Sequence, residues 1–194
     1  IAMARESQPE LMKQEAPLDE LLEPLHENTM IVQFNVTEFG TDIIVIENQD
    51  STISYSGAFT EEVNRDELSR LIEKWLNRQQ KLSIDASNHA RSEWGNYVQR
   101  KMKELSQYLV SPITGLIEKE HIHNLVLVPH MSLHLLPLNT MTLEMTGTDQ
   151  LLLERFNVTT IPSLTIGLTL SSQPFNPGLR YVGVSNPTGD LYWS

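Results

Sequence analysis

The sequence predicts an α/β fold in which helices flank a mixed β-sheet. Two β-rich segments, residues 30–36 and 42–48, are joined by a connection of hairpin length, which predicts an antiparallel pair. Segments with apolar residues three and four positions apart follow and predict helices. A continuous apolar run at 125–128 then predicts a strand covered on both faces, as is typical of parallel pairing after a helical crossover.

The composition is that of an ordinary globular chain. The sequence has 194 residues, 40% of them hydrophobic, and 14 Lys and Arg against 25 Asp and Glu give a formal net charge of −11. A chain of this length buries about 70% of its unfolded surface, so one domain with a small appendage needs no metal or disulfide to hold its core. The acidic balance disfavours nucleic-acid binding, because it repels phosphate groups.

The lack of cysteine and of long apolar segments excludes further classes. The sequence contains no Cys, so these residues offer no disulfide, no thiolate metal ligand and no cysteine nucleophile. The longest apolar runs are much shorter than the ~20 residues of a membrane-spanning helix, and we expect no membrane contact. The start has no basic and apolar leader, and the chain begins at Ile1. We therefore expect a cytoplasmic fragment of a longer protein.

The first half of the chain divides into strands and then helices. Residues 1–16 lack a sustained apolar period and predict a linker, whereas 17–26 predict a short amphipathic helix. Extended segments follow at 30–36, 42–48 and 51–56. Thr60 is expected to cap a helix, and Ser87 is expected to begin a second long helix. Ser111 and Pro112 should end that helix and begin another short one. The apolar faces of the three helices are, in order, Leu68, Leu71, Ile72, Trp75 and Leu76; Trp94, Val98, Met102, Leu105 and Leu109; and Ile113, Leu116 and Ile117.

The second half predicts shorter elements around the buried run. A strand is expected at 123–130, short helical turns at 138–143 and 151–154, and another strand at 155–162. Ser163 should cap a last helix at 165–172. A linker rich in Pro, Gly and Asn at 173–178 then precedes an apolar strand at 181–184.

Four histidines fall close together in the sequence and raise the question of a metal site. His121 and His123 stand before the buried strand, whereas His130 and His134 stand beyond its far end. At ~3.3 Å per residue, the strand separates the two pairs by more than a coordination shell. No HExxH motif is present, and no acidic residue lies between these histidines. We therefore expect neither a metal nor a cofactor.

Serine catalysis is the other chemistry to weigh. Ser132 lies between His130 and His134, and Ser163 follows a predicted strand. Neither serine lies in a Gly-x-Ser-x-Gly elbow, and no acidic residue is placed to orient a histidine. We instead expect the ring of His134 to hydrogen-bond backbone in the turn after the buried strand, and we assign no catalytic residue to this chain.

Three further motifs are weak. Residues 35–37 and 157–159 match the N-glycosylation acceptor, but both lie in predicted strands of a chain expected in the cytoplasm. Residues 183–189 include two glycines after a strand, but they have neither the Lys of a Walker loop nor GxGxxG spacing. We therefore assign no function to any of the three motifs.

Four ordered motifs resemble a known family. These are LVLVP at 125–129, SLHLLPL at 132–138, LLLERFNVTTIPSL at 151–164 and YVGVSNP at 181–187. Together they resemble the CHAT domain, a family of caspase-like and separase-like proteins that are often attached to tetratricopeptide repeats. The opening hairpin is also similar to that family, so the resemblance spans residues 17–194. The family usually has an acidic residue and Gly where this chain has His130 and Met131.

The resemblance implies a bacterial caspase-like cysteine endopeptidase with a His-Cys dyad downstream of these motifs. Residues 1–16 would be a linker or the end of an upstream helical repeat, residues 17–172 the pseudo-caspase N-terminal half, and residues 173–194 a linker and the first strand of the catalytic half. The expected partners are that catalytic half, in a continuing or cleaved chain, an upstream helical-repeat sensor and a protein substrate. This chain alone would be inactive. The alternative is a stand-alone interaction module.

Overall fold

The computed structural model describes residues 25, 27–49, 52–84, 87–145, 148–165 and 167. Its seven described strands are β1 (Thr29–Val36), β2 (Thr41–Gln49), β3 (Thr52–Thr60), β4 (Asn124–Val128), β5 (Thr142–Met145), β6 (Thr148–Leu151) and β7 (Asn157–Thr160). Its α-helices over the same residues are α1 (Arg65–Ile84), α2 (Asn88–Leu109), α3 (Thr114–Ile117) and α4 (Leu152–Arg155), with 3-10 helices at Ser111–Ile113, Met131–Leu135 and Leu138–Thr140. The helix predicted at 17–26, apart from Leu25, lies outside the described residues. The linker at 173–178, the strand at 181–184 and most of the helix at 165–172 also lie outside them.

Five of the described strands form one mixed sheet in the order β3-β2-β1-β4-β7. The pairs β1–β2 and β2–β3 are antiparallel, whereas β4 runs parallel to both β1 and β7. The predicted α/β fold, with its mixed sheet and antiparallel opening hairpin, is therefore confirmed. The strand predicted from the apolar run at 125–128 has a hydrogen-bonded neighbour on each side, which confirms its central position.

One face of the sheet carries the main hydrophobic core. Alternate residues of β1 point to this face, since side chains alternate along a strand, and they pack against the apolar stripes of α1 and α2. The core also includes residues from the segment between α2 and β7. Its largest fully buried members are Met30, Phe34, Ile43, Met102, Leu109, Ile113, Ile117, Ile122 and Leu125.

The opposite face of the sheet has a second, smaller core. Ile31, Ile46 and Val128 are buried there with Leu25 and Leu164. Half-buried residues, including Val126 on β4, pack against this group. Because both faces bury apolar side chains, β1, β2 and β4 carry apolar residues at successive positions as well as alternate ones.

An aromatic cluster joins α1 to α2 at the end of the pair nearest their connection. The ring of Trp75 lies edge-on to Trp94, with centroids 4.8 Å apart, and Trp94 stacks on Tyr97 at 5.8 Å. The helix α2 begins next to Ser87, as predicted, and Ser87 caps it, because its side chain accepts a hydrogen bond from the backbone N–H of Ala90 at 3.2 Å. Leu76, predicted on the apolar face of α1, is instead 46% exposed.

Two predictions from local sequence are wrong. Thr60 does not cap a helix: it ends β3, and the side chain of Asn64 caps α1 by accepting hydrogen bonds from the N–H groups of Asp66 and Glu67. The helical turn predicted at 138–143 stops at Thr140, and β5 begins at Thr142 and pairs with β6. In both places strand pairing, which a local pattern does not reveal, determines the structure.

Within the part of the chain that the structure describes, no helix is both long enough and apolar enough to cross a bilayer.

Candidate functional site

The carboxyl ends of β1, β4 and β7 meet at one edge of the sheet, because the three strands are parallel. Loops at this edge of an open α/β sheet usually carry the ligand and catalytic groups. Here these loops are residues 37–40 after β1, 130–136 after β4 and 161–164 after β7. The serines and two of the histidines singled out above, at 130, 132, 134 and 163, all lie in these loops. We therefore take this edge as the candidate site.

His130 joins the first two of these loops. Its ring Nδ1 accepts a hydrogen bond from the backbone N–H of Val36 at 3.0 Å, so the last residue of β1 is tied to the residue that begins the turn after β4. The prediction that a histidine bonds backbone in this turn is correct in kind but wrong in residue, since it named His134. His134 lies in the 3-10 helix Met131–Leu135 and is exposed.

The turn after β4 places Met131 in a backbone conformation that favours glycine. Met131 has φ of 51°, and it is the one non-glycine residue with positive φ in the described part of the chain. A side chain in this left-handed region costs about 1–2 kcal/mol because Cβ crowds the carbonyl oxygen. Glycine, which lacks Cβ, would adopt this conformation without that cost.

The loop after β1 is a tight turn closed by Thr37. Its hydroxyl donates to the carbonyl oxygen of Gly40 at 2.9 Å and accepts from the N–H groups of Phe39 and Gly40 at 3.2 Å each. A Cβ on Gly40 would lie 2.2 Å from the carbonyl oxygen of Thr60 and 2.5 Å from the ring of Phe59. The chain therefore needs glycine at this point, and the turn leaves Phe39 72% exposed.

The carboxyl edge exposes several large apolar side chains. Phe39 and Phe59 lie on the antiparallel part of the edge, whereas Met131 and Leu135 follow β4. The exposed fractions are 50% for Phe59, 43% for Met131 and 53% for Leu135. Exposed aromatic and aliphatic residues of this kind are common on surfaces that meet another protein.

The two candidate serine nucleophiles have no catalytic neighbours in the described residues. Both Ser132 and Ser163 are half-buried, and neither hydroxyl makes a hydrogen bond with a histidine ring there. The one contact between a histidine and a carboxylate over these residues is His89 with Glu93, at 3.6 Å on the exposed surface of α2. A serine needs a base within hydrogen-bond reach and a group that orients the base, so this geometry does not activate either serine.

The four histidines considered as metal ligands do not converge. His121 and His123 lie before β4 and His130 and His134 beyond it, as the sequence predicted. The described residues contain no group of three or more His, Asp or Glu side chains that could hold a metal ion.

The acceptor motifs for glycosylation lie in β1 and β7, as predicted. The side chain of Asn35 donates to Asp42 at 3.3 Å, and that of Asn157 donates to Asn124 at 3.2 Å. Both amides therefore bridge neighbouring strands of the sheet. The glycine motif at 183–189 lies outside the described residues.

A family model described as the CHAT domain matches residues 99–192, slightly less than half of the chain. The match begins within α2 and includes β4 and β7, so the predicted resemblance is confirmed for these residues. The opening hairpin of β1 and β2 lies outside the match, and its assignment to the family stays a prediction, as do the boundaries at 16, 17, 172 and 173. The comparison with curated proteins gives no match. The CHAT family is associated with caspase-like peptidases, and residues 99–192 are similar to that family.

Proposed function

We propose, from the CHAT match of residues 99–192, that this chain is the structural and regulatory N-terminal portion of a caspase-like cysteine protease. The catalytic His and Cys then lie outside these 194 residues. The observation that carries the proposal is the lack of any Cys in a chain with this match. A thiolate nucleophile needs a cysteine, so the residues present can position and regulate the catalytic half but cannot replace it.

The outermost strand of the sheet, β7, offers a place where a catalytic half could pair. In the described residues β7 is an edge strand, and Asn157, Thr159 and Thr160 are exposed along it. An edge of this kind presents unpaired N–H and C=O groups, which proteins normally cover. Strands of a catalytic half would extend the parallel sheet beyond β7 and would place their own carboxyl ends beside the candidate site.

Thr160 offers a specific test of this arrangement. The N–H of Asn157 donates to the carbonyl oxygen of His123, the residue before β4, at 2.8 Å, and the N–H of Ile161 donates to that of Leu127 in β4 at 3.0 Å. Because this direction alternates along a strand, the N–H of Thr160 points away from β4. Thr160→Pro removes that outward donor, and proline is tolerated on an edge strand. Thr160→Val keeps the donor and is the matched control.

The experiment compares the 194-residue chain with the same chain extended by its own downstream reading frame. We expect no peptidase activity from the 194 residues, activity on a peptide library from the extended chain, and loss of activity when the downstream Cys is changed to Ser. In the extended chain, Thr160→Pro should lower activity strongly and Thr160→Val should not. An extension without a Cys or without activity would contradict the proposal and favour a stand-alone interaction module. Fluorophosphonate labelling that Ser132→Ala or Ser163→Ala abolishes would instead show a serine hydrolase.

A further inference from the structure

A groove lies on the surface between α1 and α2. It has a volume of about 540 Å³. Leu68, Leu71 and Leu105 contribute apolar side chains to its lining, and charged side chains from both helices surround them. This surface was not predicted from the sequence, because isolated basic residues on a helix are usually part of its solvent-exposed face.

The net charge of the groove is positive, whereas that of the whole chain is negative. Five cationic and three anionic side chains line the groove, in a chain whose net charge is −11. Arg70 pairs with Glu67, and Lys101 pairs with Glu104. The other three cations, Lys74, Arg78 and Arg100, have no carboxylate within 4.0 Å among the described residues.

Tyr97 supplies a second, independent observation in the same place. Its side chain lines the groove and is only 5% exposed, and its hydroxyl is buried without a hydrogen-bond partner in the described structure. A buried hydroxyl without a partner costs about 1–3 kcal/mol, so most buried polar groups bond to protein, to ordered water or to a ligand. The guanidinium carbon of Arg78 lies 4.2 Å from the centre of the Tyr97 ring, and that of Arg100 lies 6.0 Å from it.

We infer that this groove binds an amphipathic peptide segment of a partner protein through its acidic residues. A carboxylate is an acceptor for both a guanidinium and a phenol hydroxyl, so one acidic side chain can engage Arg78 or Arg100 together with Tyr97. The apolar side chains of the segment would pack on the leucines. The proposal depends on the groove alone and not on a catalytic half downstream.

The distribution of charge along the groove favours a peptide over a nucleic acid. Glu62 and Glu67 line the end of the groove near the start of α1. Glu67 is roughly 16 Å along the helix from Arg78, at 1.5 Å per residue. The hydroxyl of Thr60 donates to Glu62 and holds the pKa of that carboxyl below its usual value, which favours its anionic form. A continuous phosphate backbone would be repelled there, whereas a peptide can have its acidic residues at the Arg78 end only.

The test measures binding of a short fluorescein-labelled peptide of Glu and Leu to the full 194-residue chain by fluorescence anisotropy. A peptide with Gln in place of Glu and a labelled oligothymidylate serve as comparison probes. We expect the Glu peptide to bind, and the Gln peptide to bind at least about tenfold more weakly. Arg78→Glu and Arg100→Glu should each weaken binding by about tenfold, whereas Arg91→Glu, on the exposed surface of α2 outside the groove, should leave it within about twofold.

Tyr97→Phe separates a binding role from a structural one. The variant keeps the ring that packs on Trp94 and removes only the hydroxyl, so its melting temperature should be unchanged or slightly raised. Its affinity for the Glu peptide should nevertheless fall by about threefold or more. Equal binding of the Glu and Gln peptides would overturn the proposal. Affinity that the three groove variants leave unchanged, or tighter binding of oligothymidylate than of the Glu peptide, would do the same.

Discussion

Replacing Met131 by glycine should give a more stable chain than replacing it by alanine. Both variants lose the methionine side chain, which is 43% exposed, so the comparison between them isolates the backbone. With φ of 51°, alanine retains a cost of about 1–2 kcal/mol that glycine avoids. Glycine in turn loses about 0.5–1 kcal/mol through its greater freedom in the unfolded chain. The difference leaves Met131→Gly more stable by about 0.5–1 kcal/mol.

Urea unfolding followed by circular dichroism measures this difference, and thermal melting should show a shift of about 2–4 °C per kcal/mol for a chain of this size. His134 provides the control, because it is exposed in the same 3-10 helix and is not among the residues with positive φ. There the order should reverse, with His134→Ala more stable than His134→Gly. If alanine is also the more stable choice at Met131, the left-handed turn after β4 is not present in solution.

Three other changes test the packing of the sheet, each measured by urea unfolding. Val126→Asp should cost about 2–4 kcal/mol, because it places a carboxylate in the second core between two parallel neighbours; a loss below about 0.5 kcal/mol would contradict the central position of β4. Lys119→Met should cost about 3 kcal/mol, because the carboxylate of Glu47, whose side chain is 7% exposed, contacts the Lys119 ammonium through both oxygens at 2.6 Å. Adding Glu47→Gln should recover most of that loss, and a double variant no better than the single one would show that the ion pair is unimportant. Gly57→Ala should destabilise the chain by about 1–3 kcal/mol, since its Cβ would lie 2.1 Å from the carbonyl oxygen of Ile43, whereas Gly95→Ala, in open space on α2, should stabilise it by about 1 kcal/mol; effects of the same sign would contradict this difference in space.

Long periodic segments of the sequence predicted the fold well, because their burial depends on many residues at once. The stripe of α2 repeats at helical spacing over several turns, whereas the apolar run at 125–128 predicted burial on both faces through its continuous hydrophobicity and not through a period. Thr60 was misassigned because both Thr and Asn cap helices, and the choice depends on β3 pairing with β2 as far as Thr41. The strand at Thr142–Met145 was missed for the same reason, since four residues are too few to show a period.

The geometry of the candidate site was less predictable than the fold. A histidine after a buried strand suggests a hydrogen bond with backbone in the following turn. The sequence does not show that His130, and not His134, bonds Val36, because these two residues are 94 positions apart. The positive φ of Met131 had a weak signal in the family pattern, where Gly is usual. The groove between α1 and α2 had none, because its cations come from two helices and become one surface only when those helices pack together.

On the proposed function, two polar groups of the carboxyl edge, Thr37 and His130, already have structural roles, and this argues for chemistry supplied from elsewhere. The hydroxyl of Thr37 closes the turn after β1, and the ring of His130 holds the end of that strand. A general base must be free to take a proton from a nucleophile, whereas His130 at Nδ1 is committed to the backbone of Val36. A catalytic half that adds strands beyond β7 would bring its own His and Cys to the same edge. The 194-residue chain would then act by fixing the position of those strands. Mutations that remove the outward N–H of Thr160 should therefore reduce turnover without changing the chemistry.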